Sequence, residues 1–207
     1  MHKISIVGID NTGKTSIVKY LNKIERINTI HLTSCQNNYS RFSYYLGQSL
    51  NKFVKFGENN NLRLLTGLMY FLHLFPYYLE EKAKNSSLIL ISDRDPIIDT
   101  ICYSSVYLPN ILSNMIKPHL KFILKQSFNY PSLFFYLEVT PEISSQRNNK
   151  KKQLHDRTKI LELLKESFDR EIFDVENIGI PVIRFDTNQK SLEEVIDEVK
   201  FSITKLL

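Results

Sequence analysis

The feature that most limits what this chain can become is an eight-residue loop near its start. Gly8-Ile9-Asp10-Asn11-Thr12-Gly13-Lys14-Thr15 meets every fixed position of the pattern GxxxxGK[ST]. Ahead of it, Ile4 to Val7 is a short apolar run that reads as a buried strand. Behind it, Ile17, Val18, Leu21 and Ile24 recur at helical spacing over Thr15 to Ile24. A strand, a glycine loop and a helix in that order make a cradle for nucleotide phosphates. Gly8 and Gly13 let the backbone wrap an anion and aim N–H groups at it, and Asn11, Thr12 and Ser16 complete the set. Lys14 brings a compact positive charge to the β and γ oxygens. Thr15 offers a hydroxyl to Mg²⁺, and the helix N-terminus adds its partial positive charge. Asp10 lies inside the loop, where an acid repels phosphate. It reads either as a solvated turn cap or as a carboxylate facing the acceptor side of the site.

Glycine is scarce elsewhere. The 207 residues hold six, where average usage predicts about fourteen, which favours long regular elements. With 43% apolar residues, no internal repeat and no Pro/Gly/Ser linker, residues 1–207 read as one domain with a sizeable core. Cys35 and Cys102 stand far apart in no metal-binding spacing and read as small buried hydrophobes in a reducing cytosol. The start, MHKISIVG, has no apolar region ahead of a cleavage site. The greasiest stretch, Leu62 to Leu79, is broken by Arg63, His73 and Pro76. The expectation is a cytoplasmic protein without a membrane span.

The remaining pattern alternates strands and helices. A weaker strand is expected at 29–32, helices at 41–56 and 62–84, and a turn-rich loop at 57–61. Leu88-Ile89-Leu90-Ile91 reads as a strand buried on both faces. A helix is expected over 110–128, kinked or split at Pro118, then a strand over 133–139. Thr140 suits an N-cap and Pro141 a first helical position. A helix over 160–178, a strand over 181–185 and a helix over 191–206 with a Ser191/Glu194 capping box close the chain. This alternation predicts an α/β fold, a parallel sheet with helices on both faces.

Two further clusters carry chemistry. Asp93-Arg94 follows the buried strand at 88–91, at the strand end where open α/β sheets bind ligands. Asp93 suits a metal-bound water or a hydroxyl proton, and Arg94 a bidentate grip on phosphate, with a structural ion pair as the alternative. The stretch from Gln146 to Lys159 is basic and supplies much of the net charge of +5. It reads as a solvated loop, an RNA-binding patch or a mobile lid, at about 146–158, whose Arg147 and Arg157 close over a transferring phosphoryl group. No RNP-type aromatic pattern accompanies it, which weighs against nucleic acid.

Taken together, IVGIDNTGKTS, LILISDRD, LFFYLEVTPEISSQR and IRFDTNQKSLEEVIDEV resemble the thymidylate kinase family, in its order and over most of the chain. The resemblance implies a P-loop fold with a five-stranded parallel sheet. It also implies phosphoryl transfer from ATP, with Mg²⁺, to dTMP, giving ADP and dTDP. Under it Lys14 and Thr15 serve the ATP phosphates and the metal, Asp10 an acceptor sugar hydroxyl, Asp93 the metal or its water, and Arg94 the acceptor phosphate. Asn11 follows Asp10, so the loop brings no arginine and the lid must, which suits Arg147 and Arg157. The helix at 62–84 has no arginine in the second half of its run from Leu62 to His73, where relatives read thymine. Tyr70, Phe71 and His73 stand there instead, with Tyr103 a further candidate for the base. A kinase of another monophosphate, or of a nucleoside, is therefore an open alternative. A non-catalytic nucleotide switch is another, though no convincing NKxD motif supports it. Nucleotide substrates are the expected partners, and the resemblance allows a homodimer through long apolar helices.

Overall fold

A computed structural model of the chain describes residues 2–24, 27–30, 41–73, 75, 76, 79, 89–127, 131–147 and 158–205. Five strands form one sheet: β1 (His2–Val7), β2 (Ile27–Ile30), β3 (Ile89–Ser92), β4 (Leu133–Glu138) and β5 (Val182–Asp186). Their order is β2-β3-β1-β4-β5, and every pairing is parallel. The expected α/β architecture is therefore present. Parallel neighbours need crossovers, and the helices that make them cover both faces.

On one face, Ile4, Ile6, Ile91 and Phe135 pack with Ile17, Val18 and Leu21 of α1 (Lys14–Leu21) and with Val195, Val199 and Ile203 of α8 (Leu192–Thr204). On the other, Val7, Phe134 and Tyr136 meet Ile98, Cys102 and Tyr103 of α4 (Pro96–Tyr107), and Leu161, Leu164 and Phe168 of α7 (Thr158–Asn177). The side chains of β1 and β4 alternate between the two clusters, as the pleat requires. Cys102 is buried as a free thiol in the second cluster; Cys35 lies outside the described residues.

Some elements differ from expectation. β2 begins two residues early because Ile27 and Thr29 are its buried side chains, and Thr29 Oγ1 donates to Asn22 at 2.8 Å. α2 (Arg41–Asn59) runs into the expected loop at 57–61 as far as Asn59, because Glu58 is buried there as an acceptor for two tyrosines. The turn falls at Asn61, which has φ 56°. α3 is described as Arg63–Leu72, and most of the expected helix beyond it lies outside the described residues. α5 (Asn110–Ser127) is one helix with Pro118 inside it, not two. Lys117 and Lys121, on either side of that proline, both reach the buried Glu171 of α7 at 2.8 Å, which holds the helix together across the lost N–H bond. Thr140 caps α6 (Pro141–Arg147) by accepting from Ile143 N–H at 3.4 Å, and the Ser191/Glu194 capping box of α8 is complete. Among the described residues no helix is long and apolar enough to cross a membrane.

The sequence reading contains no counterpart to α4. Its start is dictated by Asp95, whose Oδ1 accepts from Ile97 and Ile98 N–H, both at 2.9 Å, with Pro96 at the first helical position. Its other oxygen accepts from Ser5 Oγ of β1 at 3.0 Å, tying the cap to the sheet. Asp95→Ala removes the cap and the bond from Ser5, whose hydroxyl keeps Ser92 Oγ at 3.3 Å. It should cost roughly 2–3 kcal/mol, read as a lower urea midpoint at unchanged m-value; an unchanged midpoint would refute the role of Asp95.

Candidate functional site

Gly8, Asp93, Thr140 and Thr187 follow β1, β3, β4 and β5, so the strand ends deliver the loops to one edge of the sheet. The glycine loop cannot be built otherwise. Gly8 has φ +142°, and a Cβ there would collide with the Leu137 carbonyl of β4. Gly13 takes the left-handed conformation, φ 95°, at the N-cap of α1.

Lys14 is buried and folded onto its own loop. Its Nζ donates to the carbonyls of Gly8 at 2.7 Å and Ile9 at 2.6 Å, and to Thr12 Oγ1 at 3.4 Å. Burial lowers its pKa, against the pull of Asp10. Thr15 Oγ1 donates to Asp93 Oδ2 at 3.1 Å. That hydroxyl–carboxylate pair at the start of α1 is a hard-oxygen donor set that fits Mg²⁺ beside nucleotide phosphates. Asn11, with φ 60°, and Thr12 lie within the same loop, and Ser16 is exposed in the first turn of α1.

Arg94 links this loop to α4. Its Nη2 lies 3.5 Å from Asp10 Oδ1, its Nη1 3.2 Å from Asp99 Oδ1, and its guanidinium 4.9 Å from the Tyr103 ring centroid. Burial opposes its charge, but Tyr103, Asp99 and Asp10 hold its pKa well above the usual value. The Asp99 carboxylate also accepts from Asp95 N–H at 2.7 Å. Burial nonetheless pushes Asp99 up to about 7, outweighing Arg94 and Lys14.

Behind Arg94 is an aromatic stack. Tyr70 lies 4.9 Å from Tyr103 and 5.5 Å from Tyr107, near-parallel to both. The hydroxyls of Tyr70 and Tyr107 donate to the same Glu58 Oε1, at 3.3 and 3.1 Å. His73 sits edge-on to Tyr70 at 6.0 Å, and its Nε2 is buried without a hydrogen-bond partner among the described residues. Burial, and then Arg94, lower its pKa to about 4, so it is neutral near pH 7. Phe71 is half-buried on α3 beside them.

The structure thus gathers the loop residues, Asp10, Asp93, Arg94, Tyr70, His73 and Tyr103. Arg147 ends α6 and turns to β5, where its guanidinium donates to the Thr187 carbonyl and, at 3.4 Å, to Thr187 Oγ1. Arg157 and most of the expected lid at 146–158 lie outside the described residues. Sequence reasoning missed Asp99, Glu58 and Tyr107, and also Ser144. The Ser144 Oγ donates to the Asp10 carbonyl at 2.8 Å, and its own carbonyl accepts from Asn11 Nδ2 at 3.3 Å. For Asp99 a signal existed: it lies one helical turn after the Asp95-Pro96 helix start.

Comparison with known proteins follows the same lines. The family model described as thymidylate kinase matches residues 6–199. Among solved structures, a thymidylate kinase from Candida albicans superposes with a TM-score of 0.68 at 17% identity, covering 99% of this chain and 91% of that one. A deoxyadenosine kinase from M. mycoides, with dCMP and a flexible dCDP bound, superposes with a TM-score of 0.71 at 15% identity, covering 99% of this chain and 100% of that one. No curated protein matches by sequence.

Asp99 and His73 should act on stability with opposite signs. From about pH 4 to 7, folded Asp99 holds a proton that the unfolded chain has lost, so its contribution falls as pH rises. Between about pH 4 and 6.5, folded His73 has lost a proton that the unfolded chain keeps, so its contribution rises with pH. Urea unfolding across this window should show stability rising more steeply with pH in Asp99→Asn than in the parent, and less steeply in His73→Asn. Parallel curves for all three proteins would remove both assignments.

Proposed function

The chain belongs to the thymidylate kinase family, and on that premise we propose that it transfers the γ-phosphoryl group of ATP to a nucleoside monophosphate, with dTMP as the leading acceptor. The observation that carries this reading is Arg94. It lies beside Asp10 of the glycine loop and directly follows Asp93, the partner of Thr15, so an acceptor phosphate on it would face a donor held by Lys14. Lys14 exchanges the carbonyls of Gly8 and Ile9 for β and γ oxygens as ATP enters. Thr15 and Asp93 hold Mg²⁺, which neutralises charge on the phosphates when bound. Asp10 takes an acceptor sugar hydroxyl, and Arg94 the acceptor phosphate. Tyr103 and the α3 residues Tyr70 and Phe71, with His73 at the end of that helix, line the base. Arg147 and Arg157 bring the lid charges, with residues 1–207 acting as one kinase domain. This chemistry asks for positioning and charge neutralisation, which buried, hydrogen-bonded side chains supply. The exposed Phe42, Tyr45, Phe53 and Phe56 along α2 support the homodimer that the family likeness allows.

One observation favours a second reading, a kinase of another monophosphate or of a nucleoside. The run Thr66 to Leu72 contains no arginine, and the neutral His73 ends it. The likeness to a deoxyadenosine kinase supports the same possibility. A coupled ADP-release assay over nucleosides and monophosphates separates the two. Strong turnover of dTMP is expected, and preference for any other acceptor overturns the leading substrate. Lys14→Ala and Arg94→Ala should each cut turnover by at least about a hundredfold, with folding checked by circular dichroism. A wild-type rate in either variant would sink the role given to that residue.

A further inference from the structure

Asp99 is 6% exposed in the first turn of α4, where a carboxylate suits the helix N-terminus but need not reach an arginine. Its two oxygens do different jobs. One fixes the peptide after Arg94, through Asp95 N–H at 2.7 Å, and the other holds the Arg94 guanidinium at 3.2 Å. Asp10 faces the remaining terminal nitrogen at 3.5 Å, and the Tyr103 ring lies against the guanidinium. The cation thus stands between two carboxylates. Such an arginine is well placed but is a poor anion receptor until one carboxylate gives up its share. Asp10 is 16% exposed at its side chain and has an acceptor hydroxyl to turn to. Asp99 is enclosed and tied to the backbone. It can withdraw its charge only by taking a proton.

We propose that Asp99 is a positioning residue that holds Arg94 in the empty protein and takes a proton from solvent when an acceptor phosphate binds, so that the charge on Asp99 sets acceptor affinity. The proton adds to the carboxylate, and no other bond changes. The inference rests on the reading of Arg94 as the acceptor-phosphate ligand.

The surroundings support this. Burial already holds the Asp99 carboxyl near 7, so a dianion arriving at Arg94 pushes it further up. The charged groups facing Asp99 are Arg94 and Asp95 from the β3 end and Lys14 from the glycine loop; Asp10 and Asp93 act on the same Arg94 and Lys14. On α4 itself, Cys102 and Tyr103 feel its charge. From the helices packed on α4, His73 faces Arg94, Lys117 and Glu171 face Cys102, and Glu58 faces Tyr70.

The test is calorimetric titration of dTMP into the full chain without ATP, at pH 7.5, in two buffers of different protonation enthalpy. The expected result is a net uptake of roughly half a proton or more by the wild type, and none by Asp99→Asn. In steady state the wild-type KM for dTMP should rise by up to about tenfold from pH 7 to 8. It should stay flat in Asp99→Asn, with the KM for ATP unmoved in both. A purely structural role would shift both KM values alike and leave the pH profile in place. Absence of uptake by the wild type overturns the proposal without need of any variant, and equal uptake in Asp99→Asn overturns it as well. Failure to phosphorylate any monophosphate overturns the acceptor reading. Phosphorylation with one pH profile shared by both proteins overturns only the role of Asp99.

Discussion

β1 and β3 lie side by side in parallel with Ser5 opposite Ser92, and the groups of the site hang from that pairing. The register brings Gly8 and Asp93 out at the same edge of the sheet. Helix α1 then starts close enough for the Thr15 hydroxyl to reach Asp93. The same pair of strands carries the cap of α4, because Ser5 Oγ bonds Asp95, which in turn starts the helix. A slip of one residue between β1 and β3 would send Ser5 to the opposite face and separate every one of these contacts. The burial of both sheet faces is what forbids that slip. Ile4 and Ile6 are fully enclosed on one side, and Val7 on the other.

Within this frame the site holds several charges that a core would ordinarily expel. Lys14, Arg94, Asp93, Asp95 and Asp99 lie within or beside the core, and each has a hydrogen-bond partner in protein. Burying such groups costs more than their mutual attraction returns unless the geometry satisfies them. They do not serve stability best. Lys14 rests on two backbone carbonyls and Arg94 between two acids, an arrangement that suits the polyanion of the function proposed above.

How much of this the sequence displayed depends on where the signal is local. The glycine loop is a spacing rule, β3 an unbroken apolar run, and the caps at Thr140 and Ser191 single-residue chemistry, so all were legible. Helix α4 was not. Buried almost all round, with Ile97, Ile98, Ile101, Cys102 and Tyr103 on several faces, it shows little of the one-sided periodicity that marks a helix. Glu58 was hidden because Gly57 and three asparagines around it imitate a loop, while tertiary contacts with Tyr70 and Tyr107 hold it in a helix. Ser144 was hidden for a deeper reason: its partner Asp10 is 134 residues away and is brought close only by the fold. The partners of Asp99, Arg94 and Asp95, are local, and it was missed together with the helix that carries it.

Ser144 also bears on how the molecule is geared. It both gives a bond to the loop, at the Asp10 carbonyl, and receives one from it, through Asn11. The short helix after β4 is therefore bolted to the phosphate loop at two points rather than resting near it. The same two bonds fix the spacing between the acid of the loop and the helix that ends at Arg147, so one serine sets the offset between two segments 134 residues apart.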